Sequence, residues 1–150
     1  MNLPIRFLFL SFSILQVLAS DPTGINNRGS TNCANGSMEQ IQKFINTIPD
    51  TQVYKDGEHI ACSSIHGGLG GGTCAFLQGT KTGATGYELK ILINALAAHE
   101  NTKGCGSVPV TFPSEFGGVN RLSTEGMLTV NYVVSTANPC PPGVCGSACK

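Results

Sequence analysis

The chain has 150 residues, equal numbers of basic and acidic side chains and seven cysteines. Such a balance names no electrostatic partner. It lacks the basic patch or aromatic-basic alternation that nucleic acid requires and the amphipathic basic helix that a membrane surface attracts.

In chain order, Arg6 precedes an uncharged run, mostly Leu, Phe, Ile and Val, that reaches Ala19. This predicts a signal peptide over residues 1–19. The run is too short to span a bilayer, and Val17 and Ala19 are the small residues that signal peptidase accepts. The expected product is a secreted, extracellular chain of roughly 130 residues, one domain, with no transmembrane segment. Without Arg6 the count is eight basic to nine acidic residues, about −1 with His neutral. The secretory route is oxidising, so pairing is the default for the cysteines at 33, 62, 74, 105, 140, 145 and 149. An odd number leaves one over, and the pairing of Cys140, Cys145 and Cys149 in the tail is not fixed by sequence.

Ser37 and Gln40 read as a capping-box pair, and Met38, Ile41, Phe44, Ile45 and Ile48 recur at helical spacing until Pro49. A short amphipathic helix is expected there. Val53-Tyr54-Lys55 and His59-Ile60-Ala61 flank Asp56-Gly57, which predicts a tight hairpin. Residues 73–78 read as a strand. A second helix is expected from Thr85, with Glu88 three residues on, to near Gly104, carrying Leu89, Leu92, Ile93, Leu96 and Ala97 on one face. Residues 108–112, with Pro109, predict a short edge strand, and 127–135 a central one covered by helices on one side. Residues 113–126 read as a long loop and the Cys/Pro-rich residues 137–150 as an appended tail. The order predicts an α+β fold, a two-layer α/β sandwich with an antiparallel sheet of about five strands and two helices packed on one face.

Chemistry is hard to find in this pattern. The Gly-rich stretch from His66 to Gly72 lacks the Lys-Ser/Thr ending of a phosphate loop and precedes a strand, so it reads as a connection, and no cofactor is expected. Cys62 and Cys74 flank it and are placed to close a local loop worth roughly 2–3 kcal/mol. His59, His66 and His99 share no metal-ligand spacing and the tail cysteines lack paired C-x2-C knuckles, so no metal is expected. Catalysis by a thiol with one of these histidines is disfavoured by the oxidising route, and no carboxylate pair stands out. An enzyme is not expected. Asn35-Gly36-Ser37 is a glycosylation sequon just before a helix, which makes Asn35 a candidate for modification.

Several strings together resemble the fungal killer-toxin family of the killer-protein-four type. They are Gly24-Ile25-Asn26 with Arg28-Gly29-Ser30 and Cys33, then Cys74-Ala75-Phe76-Leu77-Gln78, then Cys105-Gly106-Ser107-Val108-Pro109, and finally Gly126-Met127-Leu128-Thr129-Val130-Asn131-Tyr132-Val133. The last is the most specific. The domain so delimited is 20–136, and the first string resembles the family's opening strand.

The resemblance implies an α/β sandwich with two helices and several disulfides, and a bond from Cys33 to Cys105. Asn27 and Thr102 stand where the founding toxin has a further bonded pair. Thr136 replaces its final cysteine, which leaves Cys62 to join Cys74 or a tail residue. The implied activity is that of a secreted, non-enzymatic, monomeric toxin that inhibits growth of susceptible cells through a membrane or cell-surface protein target, a calcium channel in the family's case. The founding toxin is strongly basic just before the cysteine matching Cys62, whereas this chain has Glu58, His59, Ile60 and Ala61. Lys55 and His59, expected to be exposed on the hairpin, are the candidate target contacts. The alternative is a secreted effector or cell-surface interaction protein without channel activity.

Overall fold

The computed structural model describes residues 24–33, 35–64, 71–99, 104–112 and 126–134. The leader, His66 in the Gly-rich stretch, most of the loop from 113 and the tail with Cys140, Cys145 and Cys149 lie outside the described residues.

Two helices and two antiparallel sheets make a mixed α+β fold. The elements are α1 (Ser37–Ile45), β1 (Val53–Tyr54), β2 (His59–Ser64), β3 (Gly72–Gln78), β4 (Ala84–Thr85), α2 (Gly86–Ala98), β5 (Gly106–Pro109) and β6 (Met127–Val133). The main sheet has four strands in the order β2-β3-β6-β5, one fewer than the expected five. The remaining pair, β1 with β4, forms a separate two-stranded ribbon. Residues 24–26, expected as an opening strand, contribute only the bridge of Asn26 to Ser107 on the outer edge of β5.

One face of the main sheet presents Ala61, Ala75, Leu77, Val108, Leu128 and Val130, all buried, and the helices close over it with Ile41, Ile45, Leu89, Leu92, Ile93 and Leu96. Fully burying each of the Val, Leu and Ile side chains among these contributes about 1.5–3 kcal/mol, so this layer dominates the stability. The β6 strand runs between β3 and β5, the central place expected of residues 127–135.

The start of α2 follows the local signal. Thr85 Oγ1 accepts the Glu88 N–H at 3.3 Å and Glu88 Oε2 accepts the Thr85 N–H at 2.7 Å, a complete capping box. The turn after α1 satisfies further first-turn donors, Gly86 N–H to Gln52 O at 2.8 Å and Tyr87 N–H to Asp50 O at 3.0 Å. A Cβ at Gly86 would collide with Pro49 O, so this approach requires glycine. The helix ends at Ala98, earlier than expected, with His99 already extended.

The start of α1 corrects the expectation. Its N-cap is Gly36, at φ 84°, and no side chain caps the helix. Ser37 and Gln40 turn instead to the sheet, where Ser63 Oγ donates to Gln40 Oε1 at 2.8 Å and lies 3.5 Å from Ser37 Oγ. A left-handed glycine ahead of the helix leaves Ser37 inside it, where its hydroxyl is too late to act as cap.

The Asp56-Gly57 turn forms, with Gly57 at φ 73° and the Glu58 N–H on Lys55 O at 3.2 Å. Its flanks do not pair as a hairpin. β1 pairs with β4 and β2 with β3, because the Gly57 N–H bonds Leu77 O at 2.8 Å and draws the turn onto the end of β3.

Candidate target-contact surface

The surface around Lys55 is built by two carboxylates that the backbone uses. Glu58 Oε2 accepts the Lys55 N–H at 3.0 Å. Asp56 Oδ1 accepts the Thr80 N–H at 2.8 Å and so fastens the turn to the loop between β3 and β4. Lys81 stands next on that loop, so the bond brings two exposed cations, Lys55 and Lys81, onto joined turns. Neither forms an ion pair among the described residues, unlike Lys43 with Glu39 and Lys90 with Asp50. The ribbon beside them exposes Val53, and α2 exposes Tyr87. Lys81 and Tyr87 carry no sequence signal that would single them out, since their place depends on a pairing of β1 with a strand far along the chain.

His59 is half-buried, not exposed as expected. Its register with β3 gives the reason. His59 pairs with Phe76 and Ala61 with Ala75, so two steps along β2 match one along β3. This bulge turns His59 onto the face of Phe76, Cys74 and Cys62, where its ring centroid lies 6.0 Å from that of Phe76. Its Nδ1 is buried with no hydrogen-bond partner, and burial lowers its pKa. Tyr54, fully buried with no partner for its hydroxyl, has its pKa raised by burial first and by the charge of Glu58 second.

A ring nitrogen of His59 and the sulfurs of Cys62 and Cys74 lie within 4.8 Å of one another. The two sulfurs are bonded to each other at 2.04 Å, so they are not the thiolates that hold a metal. In this oxidised form the trio is a disulfide with a histidine beside it.

The sheet face turned from the helices carries the covalent links. Cys62 and Cys74 are register partners on β2 and β3, both fully buried. Asn131 of β6 is the register partner of Cys74 on the other side, and its Oδ1 lies 3.3 Å from Sγ of Cys105, which is bonded to Cys33. One face of the sheet is thus closed by helices, and the other is crossed by both disulfides of the described residues.

A Kp4 family model matches residues 8–134, well over half of the sequence. The chain belongs to the Kp4 family. No curated protein matches it. The Kp4 match begins inside the apolar run read as the leader and ends before the tail at 137–150. A killer-toxin family and two disulfides suit a small secreted protein, and among the described residues no helix is long and apolar enough to cross a membrane. In this Kp4 chain, then, Lys55 is exposed, His59 is withdrawn under its bulge, and Asn35 stands exposed in the turn before α1.

Proposed function

We propose that the protein is a secreted Kp4 toxin that slows the growth of susceptible cells by binding a membrane or cell-surface target, with no catalytic step of its own. The family match over residues 8–134 carries this reading. The geometry near Lys55 supports it. The carboxylates of the turn hold backbone donors and fix its shape, and two cations remain at the surface, an arrangement suited to recognition rather than to proton transfer. A calcium channel is the target that family membership suggests, its acidic mouth being the natural partner for Lys55 and Lys81.

The test applies purified mature protein to a panel of fungal and plant cells while growth and cytosolic calcium are followed. Growth arrest with a blunted calcium signal, relieved by added calcium, is expected. A protein that neither binds nor slows any cell in the panel refutes the toxin reading. The near-neutral charge and the sequence Glu58-His59-Ile60-Ala61 before Cys62 favour a second reading, a cell-surface interaction protein without channel block. Binding or arrest with an unchanged calcium signal selects it.

A further inference from the structure

Asn35-Gly36-Ser37 is the one Asn-x-Ser/Thr sequence in the chain. Asn35 and Gly36 are exposed, and a Cβ at Gly36 would meet nothing within 4 Å, so the turn has open space around it. The turn is held on both sides, by the bond of Cys33 to Cys105 before it and by the contacts of Ser37 and Gln40 with Ser63 after it. Asn35 also lines two open clefts. One, of about 450 Å³, includes Arg28 and Ser30 in its walls, and the other, of about 430 Å³, includes Glu39 and Gln42. Both offer hydrogen-bonding groups to sugar hydroxyls.

The contacts with Ser63 place this turn at the C-terminal end of β2, whereas the Lys55 turn leads into its N-terminal end at His59. The four steps from His59 to Ser63 separate the two by about 13 Å. We infer that Asn35 carries an N-linked glycan in the secreted protein, set at the end of β2 remote from Lys55 so that the target surface stays open. The second half of this inference rests on the contact reading above. The donor is a lipid-diphosphate-linked oligosaccharide. A bond forms between Asn35 Nδ2 and the anomeric carbon of the first N-acetylglucosamine, the anomeric C–O bond to the diphosphate breaks, the lipid diphosphate leaves with the electron pair, and Nδ2 gives up one proton. Transfer acts on the unfolded, translocating chain, so the burial of Ser37 in the folded domain does not oppose it.

The experiment measures the intact mass of wild-type and Asn35→Gln protein secreted by a eukaryotic host, before and after treatment with a peptide-N-glycosidase. Wild type should lose the mass of a hexose–N-acetylglucosamine chain on treatment, and Asn35→Gln should show the polypeptide mass throughout. Secreted wild type that already has the polypeptide mass overturns the inference. Growth inhibition by treated wild type and by Asn35→Gln should equal that of the untreated protein. Its loss on deglycosylation, with melting unchanged, would put the glycan in the contact surface and overturn the second half. Glycosylated protein that inhibits no cell supports the modification and counts against the toxin reading alone.

Discussion

Asn131 on the central strand accepts the backbone N–H of Ser30 through its side-chain oxygen at 3.1 Å, across 101 positions of sequence. The same oxygen accepts the Tyr132 N–H at 2.9 Å. One amide therefore secures the N-terminal segment to the sheet beside the Cys33–Cys105 bond. Asn131→Leu leaves two partly buried donors without an acceptor and should lower stability by about 1–3 kcal/mol. Asn131→Asp keeps an acceptor and should cost less. Urea unfolding of the two variants decides; equal losses would show that packing rather than the acceptor matters.

The two disulfides close loops of very different size, with sequence separations of 72 and 12. Replacing Cys33 and Cys105 together by Ala should cost about 4 kcal/mol, and replacing Cys62 and Cys74 about 3 kcal/mol, by the chain-entropy relation. Growth inhibition should fall with the folded fraction in each case. An order reversed in denaturant midpoints would mean that burial of Cys62 and Cys74, not loop closure, sets their contribution.

The two helix starts should respond unequally to one substitution. Thr85→Ala removes a capping hydroxyl and should cost about 1–2 kcal/mol, while Ser37→Ala removes only the long 3.5 Å contact with Ser63 Oγ and should cost about 0.5 kcal/mol. Thermal melts suffice to compare them, and equal shifts would contradict the capping account.

Burial lowers the pKa of His59 from its ordinary 6.5, so the unfolded chain takes up this proton more readily than the folded one. Stability should therefore fall as pH drops through about 6.5 and stop falling from this source below the folded-state pKa. His59→Phe removes the titrating group while keeping an aromatic beside Phe76, and its unfolding free energy should be flatter over that range. Parallel profiles for the two proteins would mean that His59 is equally solvated in both states.

Lys55→Glu and Lys81→Glu should each weaken growth inhibition severalfold with melting unchanged, since charges at a contact rim act chiefly on association. His59→Phe should have the smaller effect, because the ring is already half-buried. Dose–response curves that do not move for either lysine would place the contact surface elsewhere on the domain.

The start of the second helix is legible because its capping signal is local, Thr85 and Glu88 bonding each other three residues apart. The pair Ser37 and Gln40 has the same spelling yet serves a strand, since a left-handed Gly36 had already taken the cap position. The Asp56-Gly57 turn is readable in the sequence, but the segments that flank it, expected to pair with each other, each pair elsewhere, and only the fold supplies those distant partners. The inward turn of His59 follows from the β2 bulge, which alternation along a single strand does not record. Lys81 has no local signal for a related reason, as the Asp56–Thr80 bond that brings its loop beside Lys55 joins residues 24 positions apart.

Of the described strands, the inner strand β6 is the last in the chain. β3 and β5 both pair with β6 and not with each other, so a chain ending at Pro109 has its two halves with a gap between them. The β2–β3 and β1–β4 pairs need nothing from β6, but Ala75, Leu77 and Val108 lack their sheet neighbours until Leu128 and Val130 join them. Closing contacts so distant in sequence is slow. A truncation anywhere before β6 therefore leaves β5 with no partner in the main sheet and β3 with one open edge.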